Sequence, residues 1–286
     1  MQDLQTWIVF RAGPTFDTVK SARIHAHGRP DVIVVDDVPI PEPGPGEVLV
    51  EVAATSFNPT EVAVRAGVFD LALPHTLGWD VAGTVAGEPV VGWIDGAAAE
   101  YAVTTPDRLV PAPRAIPLAD AAVLPLAGLS AWQMVFEHGH VRPGHRVLVN
   151  GAGGGIGGFA VQLAKHAGAH VTATASPRSA DVVRALGADE VVGYGPTGRF
   201  DVVLNLVADA EVARLGGVVV SATLSDAPDA HFVTRFDPAQ LTALVGLVDR
   251  GVVVVDVSER HGLADLPELH RRAEAGDLRG KVLVTP

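Results

Sequence analysis

The sequence contains no cysteine at all. A chain without cysteine can form no disulfide, offers no thiolate ligand to a metal ion, and has no cysteine nucleophile. Disulfide-stabilised scaffolds and thiol enzymes are therefore excluded as classes for this chain.

Positive charge is also scarce. The sequence has 21 Lys and Arg residues and 33 Asp and Glu residues, which gives a net charge of −12. Binding to nucleic acid or to an anionic membrane surface needs clustered Lys and Arg, so neither is expected as a partner. Long hydrophobic runs are missing as well: the longest, such as 252–255, are far too short to span a bilayer. The segment Met1–Trp7 lacks a charged region followed by an apolar core, which favours a cytoplasmic location.

Glycine, by contrast, is concentrated in one run at 151–158, with the sequence GAGGGIGG. A β-type run precedes it, a helix is predicted over Phe159–Ala167, and a second strand is predicted over His170–Ala175. Small residues let the backbone approach a dinucleotide pyrophosphate, and a helix N-terminus supplies free N–H groups. This order predicts a dinucleotide site. The expected contacts are Ala152, Gly153, Gly154, Gly155, Ile156 and Gly157.

The end of the second strand indicates which dinucleotide binds. An NAD site usually carries an acidic residue there for the ribose 2′-hydroxyl, but this strand runs into Thr174–Arg178 without one. Ser176 is able to donate to a 2′-phosphate and Arg178 to pair with it, which favours NADP(H). The alternative is that Arg178 is an ordinary solvated residue at the start of the next helix.

Two kinds of organisation follow one another along the 286 residues, a length that suggests two domains. Residues 1–125 are rich in strands and turns. From about Pro125 strands and helices alternate, which predicts a doubly wound parallel sheet. The predicted strands are Arg146–Asn150, His170–Ala175, Glu190–Val192, Val202–Leu206, Val218–Ala222, Val252–Val257 and Lys281–Val284. Helices are predicted over Ser179–Leu186, Pro238–Arg250 and Pro267–Ala275.

Six separated motifs then occur in the order of a known family. They are Pro41–Val50, Phe57–Gly67, Leu77–Gly83, Gly96–Ala102, Leu186–Asp189 and Gly280–Leu283. With them the chain resembles the medium-chain dehydrogenase/reductase superfamily, and most of all its zinc-independent branch of quinone oxidoreductase and zeta-crystallin-like enzymes. The resemblance implies an α/β chain with a GroES-like β-rich catalytic domain over 1–125 and 258–286. A Rossmann NADP-binding domain with a doubly wound parallel sheet is implied over 126–257.

The residues present argue against a metal site. Zinc needs three or four converging N, S or O ligands, and the family's zinc-ligating histidine position is Trp79 here. The close histidine pairs, His25 with His27 and His138 with His140, lie far apart in the sequence. No metal is expected.

The resemblance further implies a metal-free, NADPH-dependent reductase that transfers hydride to a quinone or an α,β-unsaturated carbonyl compound. Asn58, Glu61 and Ser130 are then the expected catalytic residues, and Trp79 is expected to line the substrate pocket. Further cofactor contacts are expected from Tyr194, Asn205, Leu206 and Val207.

Each of these side chains also has a structural interpretation. Asn58 precedes a proline and suits a turn, while Glu61 is equally compatible with a solvated position. Ser130 is a possible N-cap for a helix over Ala131–Phe136. Trp79 is compatible with core packing, and Tyr194 with a half-exposed strand end.

Two departures from the family pattern weaken the implied function, and the second of them keeps another function open. Glu61 replaces the family's Asp, and Ala63 stands where quinone oxidoreductases have a Tyr. The alternative is an NADP(H)-binding protein with a non-redox, sensing or structural role in a biosynthetic pathway. A short-chain reductase is excluded because it needs Tyr-x-x-x-Lys, and Tyr101 and Tyr194 are followed four places on by Thr105 and Gly198.

A homodimer is expected as well. Relatives often pair the edge strands of their Rossmann sheets, and the apolar run Val252–Val257 is the predicted edge strand. An exposed apolar edge is a liability unless it is paired.

Overall fold

The computed structural model describes residues 18–69, 71–222 and 231–286. The described residues form fifteen β-strands and seven α-helices. The strands are β1 (Thr18–Ile24), β2 (Ile33–Pro39), β3 (Val48–Phe57), β4 (His75–Thr76), β5 (Asp80–Val85), β6 (Glu88–Trp93), β7 (Tyr101–Thr104), β8 (Leu109–Pro111), β9 (Arg146–Asn150), β10 (His170–Thr174), β11 (Glu190–Val192), β12 (Phe200–Asn205), β13 (Gly216–Ser221), β14 (Val257–Gly262) and β15 (Lys281–Thr285). The helices are α1 (Thr60–Ala66), α2 (Pro125–Trp132), α3 (Gly155–His166), α4 (Ala180–Ala185), α5 (Ala210–Ala213), α6 (Pro238–Asp249) and α7 (Leu266–Glu274).

Two mainly antiparallel sheets take up the early strands and the last two. A three-stranded sheet has the order β2-β1-β4, and a seven-stranded sheet has the order β14-β15-β3-β5-β6-β8, with β7 also paired to β3. Strand β15 lies antiparallel beside the end of β3, with Val282 opposite Phe57. The chain therefore returns near its end to the sheet that it built first, and β15 lies next to the exit of β3.

The middle of the chain forms a parallel sheet of order β11-β10-β9-β12-β13. Its strands alternate with α3, α4 and α5, as parallel strands require crossover connections. The chain moves outward from β9 through β10 to β11 and then restarts on the other side of β9 with β12. Ligands of open α/β sheets bind at the carboxyl ends of the strands beside such a reversal, which here is the end of β9.

Most predicted elements agree with the structure, but helix α3 begins four residues earlier than predicted. It begins at Gly155, inside the glycine-rich run, with Gly154 as its N-cap. Propensity places a helix start after glycines, whereas here the tertiary fold holds the glycines in the first turn.

The predicted strand Val252–Val257 is wrong. Only Val257 is in a strand, β14, which pairs with β15 and not with the parallel sheet. The backbone of Val254 is instead bonded by a side chain: its N–H donates to Gln162 Oε1 at 2.7 Å, and its carbonyl accepts from Gln162 Nε2 at 3.0 Å. Because one carboxamide satisfies both groups, this apolar segment needs no strand partner.

Within residues 18–69, 71–222 and 231–286, none of the helices combines the length and the hydropathy that a membrane crossing requires. The segment Met1–Trp7, from which a cytoplasmic location is predicted, lies outside the described residues.

The close contact between helices α2 and α6 predicts opposite effects on stability for two glycine substitutions, one inside the contact and one outside it. A methyl group built on Gly128 would overlap Leu244 Cδ2, whereas one on Gly246 meets only the flexible end of Arg250 at 3.2 Å. We expect Gly128→Ala to lower the free energy of unfolding by about 1–3 kcal/mol through overpacking. Gly246→Ala is expected to raise it by about 0.5–1 kcal/mol, the usual helix gain over glycine. Urea unfolding of both variants checks the pair, and equal effects would contradict the packing described.

Candidate active site

The glycine-rich run forms a tight turn between β9 and α3. Gly151 has a φ of +90°, and a Cβ there would lie 2.7 Å from Val207 Cγ2. A Cβ on Gly157 would lie 2.5 Å from the Cα of Ala152. No side chain caps α3, so the N–H groups of its first turn are free to bind an anion. The turn has the backbone freedom and the donors that a pyrophosphate needs.

A chain of buried amides and a hydroxyl supports this turn from below. The N–H of Gly151 donates to Thr174 Oγ1 at 2.8 Å, and the Thr174 hydroxyl donates to Asn150 Oδ1 at 2.7 Å. The Asn150 carboxamide then donates to Asn205 Oδ1 at 2.8 Å. Asn205 is thus placed under the turn, as a residue that shapes it. Asn150 and Thr174 were not predicted, although polar residues at the carboxyl ends of adjacent parallel strands are a recognisable signal.

The residues after β10 lie at the rim of the turn. Ser176 Oγ is 3.5 Å from Ser179 Oγ, and Tyr194 is 69 % exposed. Arg178 is half exposed, pairs with Asp277 Oδ1 at 3.1 Å and donates to the carbonyl of Gly276 at 3.0 Å. Arg178 therefore has protein partners already, through contacts that water largely screens.

A second group of polar residues is buried where β3, α1, β5 and β15 meet. It comprises Ser56, Asn58, Glu61, Asp80 and Lys281, none of them more than 4 % exposed. Buried polar groups must be hydrogen-bonded and buried charges paired. These five residues meet that requirement mainly through one another, and we call them the polar cluster.

Asn58 and Asp80 are the most connected members of the polar cluster. Asn58 Nδ2 donates to Asp80 Oδ2 at 2.9 Å and to the carbonyl of Ser56 at 3.2 Å, and Asn58 Oδ1 accepts from Lys281 Nζ at 2.8 Å. Asp80 also accepts from the Ser56 hydroxyl and, at 2.7 Å, from the N–H of Leu126. Because both amide hydrogens of Asn58 are bonded, its remaining capacity toward a ligand is that of an acceptor.

Glu61 lies on α1 and its carboxylate accepts the backbone N–H of Asn58 at 3.0 Å. Burial raises the pKa of Glu61 to about 7, and the nearby Asp80 carboxylate adds to the rise, while the Asn58 N–H and Lys281 oppose it. Burial lowers the pKa of Lys281, against the attraction of Asp80 and Glu61. Glu61 is accordingly buried, and its solvated alternative is wrong.

Ser130 lies in the middle of α2 and caps no helix. Its hydroxyl donates to the carbonyl of Leu126 at 2.6 Å and lies 2.7 Å from Thr234 Oγ1. The N-cap interpretation for Ala131–Phe136 is wrong because α2 begins at Pro125. Asp80 binds the first turn of α2 instead, which links Ser130's helix to the polar cluster.

Trp79 is partly buried and packs against the apolar cluster that contains Phe57 and Leu77. This contact supports its core role, and it leaves part of the ring accessible. Among the described ranges, no three His, Cys, Asp or Glu side chains are arranged to hold a metal ion.

Comparisons with known proteins agree with this architecture. A family model of the alcohol dehydrogenase GroES-like domain matches residues 44–89, and one of the zinc-binding dehydrogenase family matches residues 186–284. A chloroplast envelope quinone oxidoreductase homolog from Arabidopsis thaliana is 30 % identical over 304 residues, covering 87 % of this chain and 92 % of the relative. A 2-methylene-furan-3-one reductase from Solanum lycopersicum is 29 % identical, covering 91 % and 77 %. The solved quinone oxidoreductase from Coxiella burnetii has a TM-score of 0.88 and 26 % identity, covering 94 % and 100 %.

The fold and the glycine-rich turn define a two-part α/β oxidoreductase with a dinucleotide-binding parallel sheet. The extent of the similarity specifies it further. The chain belongs to the medium-chain dehydrogenase/reductase superfamily, in its zinc-independent quinone oxidoreductase branch. The predicted family and fold class are confirmed.

The raised pKa of Glu61 has a measurable effect on stability. The pKa moves from 4.5 to about 7, so the folded state keeps a proton that the unfolded state loses within that window. Stability from this residue is complete below the lower value and is lost as the pH rises through the upper one. We expect wild type to lose about 3 kcal/mol of unfolding free energy relative to Glu61→Gln between about pH 5 and about pH 8.

Glutamine is the matched control for this measurement, because it copies the neutral acid and keeps an oxygen for the Asn58 N–H. Comparing the two proteins by urea unfolding at each pH removes the contribution of every other titrating group. A difference between them that stays constant with pH would refute the assignment.

Proposed function

We propose that this protein is an NADPH-dependent reductase of quinones or α,β-unsaturated carbonyl compounds that works without a metal ion. The observation that carries the proposal is the position of the polar cluster directly beside the glycine-rich turn. The N–H of Gly280, next to Lys281, donates to the carbonyl of Gly153 at 3.0 Å. A dinucleotide on the turn would thus extend toward Asn58, Glu61 and the half-buried Trp79.

The cofactor assignment rests on the donors of the turn and on the residues after β10. The residues fit a dinucleotide: Gly154 has only Gly151 O near its missing side chain, at 3.5 Å, and the first turn of α3 is uncapped. The phosphate contacts would come from Ala152, Gly153, Gly154, Gly155, Ile156 and Gly157, with Leu206 and Val207 beside them.

NADP(H) is preferred over NAD(H) because the segment after β10 has no carboxylate to repel a 2′-phosphate. Ser176, Arg178 and Tyr194 would surround that phosphate. Arg178 would exchange the exposed carboxylate of Asp277 for it, and an exposed ion pair is weak enough to be replaced.

Bound NADPH supplies a hydride from its nicotinamide ring. The chain's own residues have three tasks. Asn58 offers an acceptor to orient the ligand. Ser130 connects α2 with Thr234 through their hydroxyl groups, and Glu61 holds a proton near neutral pH. An electrophilic carbon conjugated with a carbonyl group, as in an enone or a quinone, suits these groups, since it accepts hydride without a Lewis acid.

Two relatives support the substrate class. The Arabidopsis thaliana relative is named a quinone oxidoreductase homolog and the Solanum lycopersicum relative a furanone reductase. Both names describe reduction of a conjugated acceptor. The alternative of a non-redox, sensing or structural protein has only Ala63 in its favour, and these similarities do not favour it.

The division of the chain is also part of this proposal, with residues 1–125 and 258–286 as catalytic domain and 126–257 as NADP-binding domain. A cytoplasmic location stays a prediction. A homodimer is proposed too, now through β13, which is one of the two edge strands of the parallel sheet among the described residues. Val218 on β13 is 40 % exposed, and sedimentation of a monomer at micromolar concentration would refute the dimer.

The direct test of the reductase is acceptor-dependent loss of NADPH absorbance with a panel of quinones and conjugated enones, run beside NADH. Consumption that needs both NADPH and acceptor supports the proposal. Tight NADPH binding without consumption across the panel would favour the non-redox alternative, and no binding of either nucleotide would refute the dinucleotide site.

We expect Arg178→Ala to raise the KM for NADPH by about tenfold or more, the usual cost of a lost charge-assisted contact. The KM for NADH should stay unchanged, because NADH has no 2′-phosphate. Arg184→Ala is the matched control, since Arg184 lies on the next helix, α4, and forms an exposed ion pair with Asp181. Equal changes for both nucleotides would argue against the phosphate contact.

A further inference from the structure

Lys281 is the first residue of β15 and has its ammonium group buried inside the polar cluster, with a side chain only 5 % exposed. Its three N–H bonds face three acceptors of the protein. Asn58 Oδ1 lies at 2.8 Å, the carbonyl of Phe57 at 3.3 Å and Asp80 Oδ2 at 3.6 Å. The first two contacts are hydrogen bonds and the third is an ion pair, so the buried ammonium is paired by this chain itself.

The aliphatic part of the same side chain lies on the start of α3. A Cβ on Gly155 would come within 2.7 Å of Lys281 Cδ. The preceding residue, Gly280, forms an isolated bridge with Gly154. The aliphatic stem of Lys281 thus contacts the glycine-rich turn, and its ammonium group contacts the polar cluster. The position of the turn is therefore linked to the position of the polar cluster.

The chemistry of the partners fixes the orientation of the Asn58 carboxamide. An ammonium only donates and a carboxylate only accepts, so Oδ1 must face Lys281 and Nδ2 must face Asp80. Without Lys281 the oxygen loses the donor that holds it, and rotation of the amide becomes possible. Burial makes that loss serious, since no water replaces the missing donor.

We propose that Lys281 is a positioning residue for the reduction, which holds the Asn58 carboxamide with its oxygen oriented as an acceptor beside the glycine-rich turn. This inference rests on the proposed reductase function. The charged groups that face Lys281 are Asp80 on β5 and Glu61 on α1, and both lie in the polar cluster. Lys281 acts on the ligand through Asn58, not through contact of its own.

The test compares kcat and NADPH affinity in Lys281→Met, Asn58→Ala and the double variant. We expect Lys281→Met to lower kcat by about tenfold to a hundredfold, the cost of misplacing a reacting group by about 1 Å. Its Kd for NADPH, measured by fluorescence titration, should change less than about threefold, since phosphate contacts are kept. The double variant should be no slower than Asn58→Ala alone, because both changes remove one function.

Lys165→Met is the matched control. Lys165 lies on α3 and pairs with Asp189 at 2.8 Å in a partly exposed position away from the polar cluster. This variant should keep the wild-type kcat.

Several results would overturn the inference. A loss of NADPH affinity with unchanged kcat in Lys281→Met would mean direct contact with the cofactor. Multiplying losses in the double variant would mean that Lys281 acts independently of Asn58. If none of the tested acceptors makes the wild-type protein oxidise NADPH, the proposed function fails, and this inference fails with it.

Removing Lys281 leaves the Asp80 carboxylate buried beside no cation, which destabilises the folded variant. Lys281→Arg serves as the second variant, because it keeps the charge but changes the geometry of the donors. It should fold, retain NADPH affinity within about threefold and lose about tenfold in kcat. Full activity of the arginine variant would overturn the requirement for a positioned donor at Asn58.

Discussion

The buried carboxylate of Asp80 is the constraint on which the rest of this site depends. A charge removed from water is tolerated only when it is paired and hydrogen-bonded. Asp80 meets that condition with the Ser56 hydroxyl, the Asn58 amide, the N–H of Leu126 and, at 3.6 Å, the Lys281 ammonium. These donors come from the end of β3, from α2 and from β15. The carboxylate, which lies on β5, therefore holds four elements in one arrangement.

The same arrangement explains why the two halves of the molecule meet where they do. Strand β15 carries Lys281 into the polar cluster, while Gly280 just before it bonds to Gly153 in the glycine-rich turn. A chain that returned to its first sheet at any other register would separate these groups. The cofactor turn and the polar cluster are therefore neighbours through the backbone of one strand, which connects the parallel sheet with the seven-stranded sheet.

The sequence predicts those parts of the fold and the site that depend on residues close together in the chain, and it does not predict contacts between residues far apart. The turn at 151–158 and strands such as β9 were predictable because glycine conformation and β-branched runs act locally. Asn58 and Glu61 came from a compact motif, but the role of Lys281 depends on a contact across 223 positions. Lys281 lies in the family motif Gly280–Leu283, but no local feature of that motif identifies Asn58 as its partner.

The two clear errors have the same origin. Val252–Val257 looks like a strand by composition, but the side chain of Gln162, 92 positions away, bonds to its backbone. Ser130 resembles a helix cap, but tertiary packing and Asp80 start α2 at Pro125, six residues before the predicted start at Ala131. In both cases a polar side chain distant in the sequence bonds to the backbone of the segment, and no local pattern marks that contact.

The most direct test of the account is the fate of the transferred hydrogen. A conjugated enone would be reduced by the wild-type protein with NADPH carrying deuterium at both C4 positions of the nicotinamide, and the product examined by mass spectrometry and NMR. The account predicts one non-exchangeable deuterium on the β-carbon of the product and a hydrogen from water on the neighbouring carbon. A reduced product without deuterium, or labelled NADPH that stays bound and unchanged beside the enone, would contradict it.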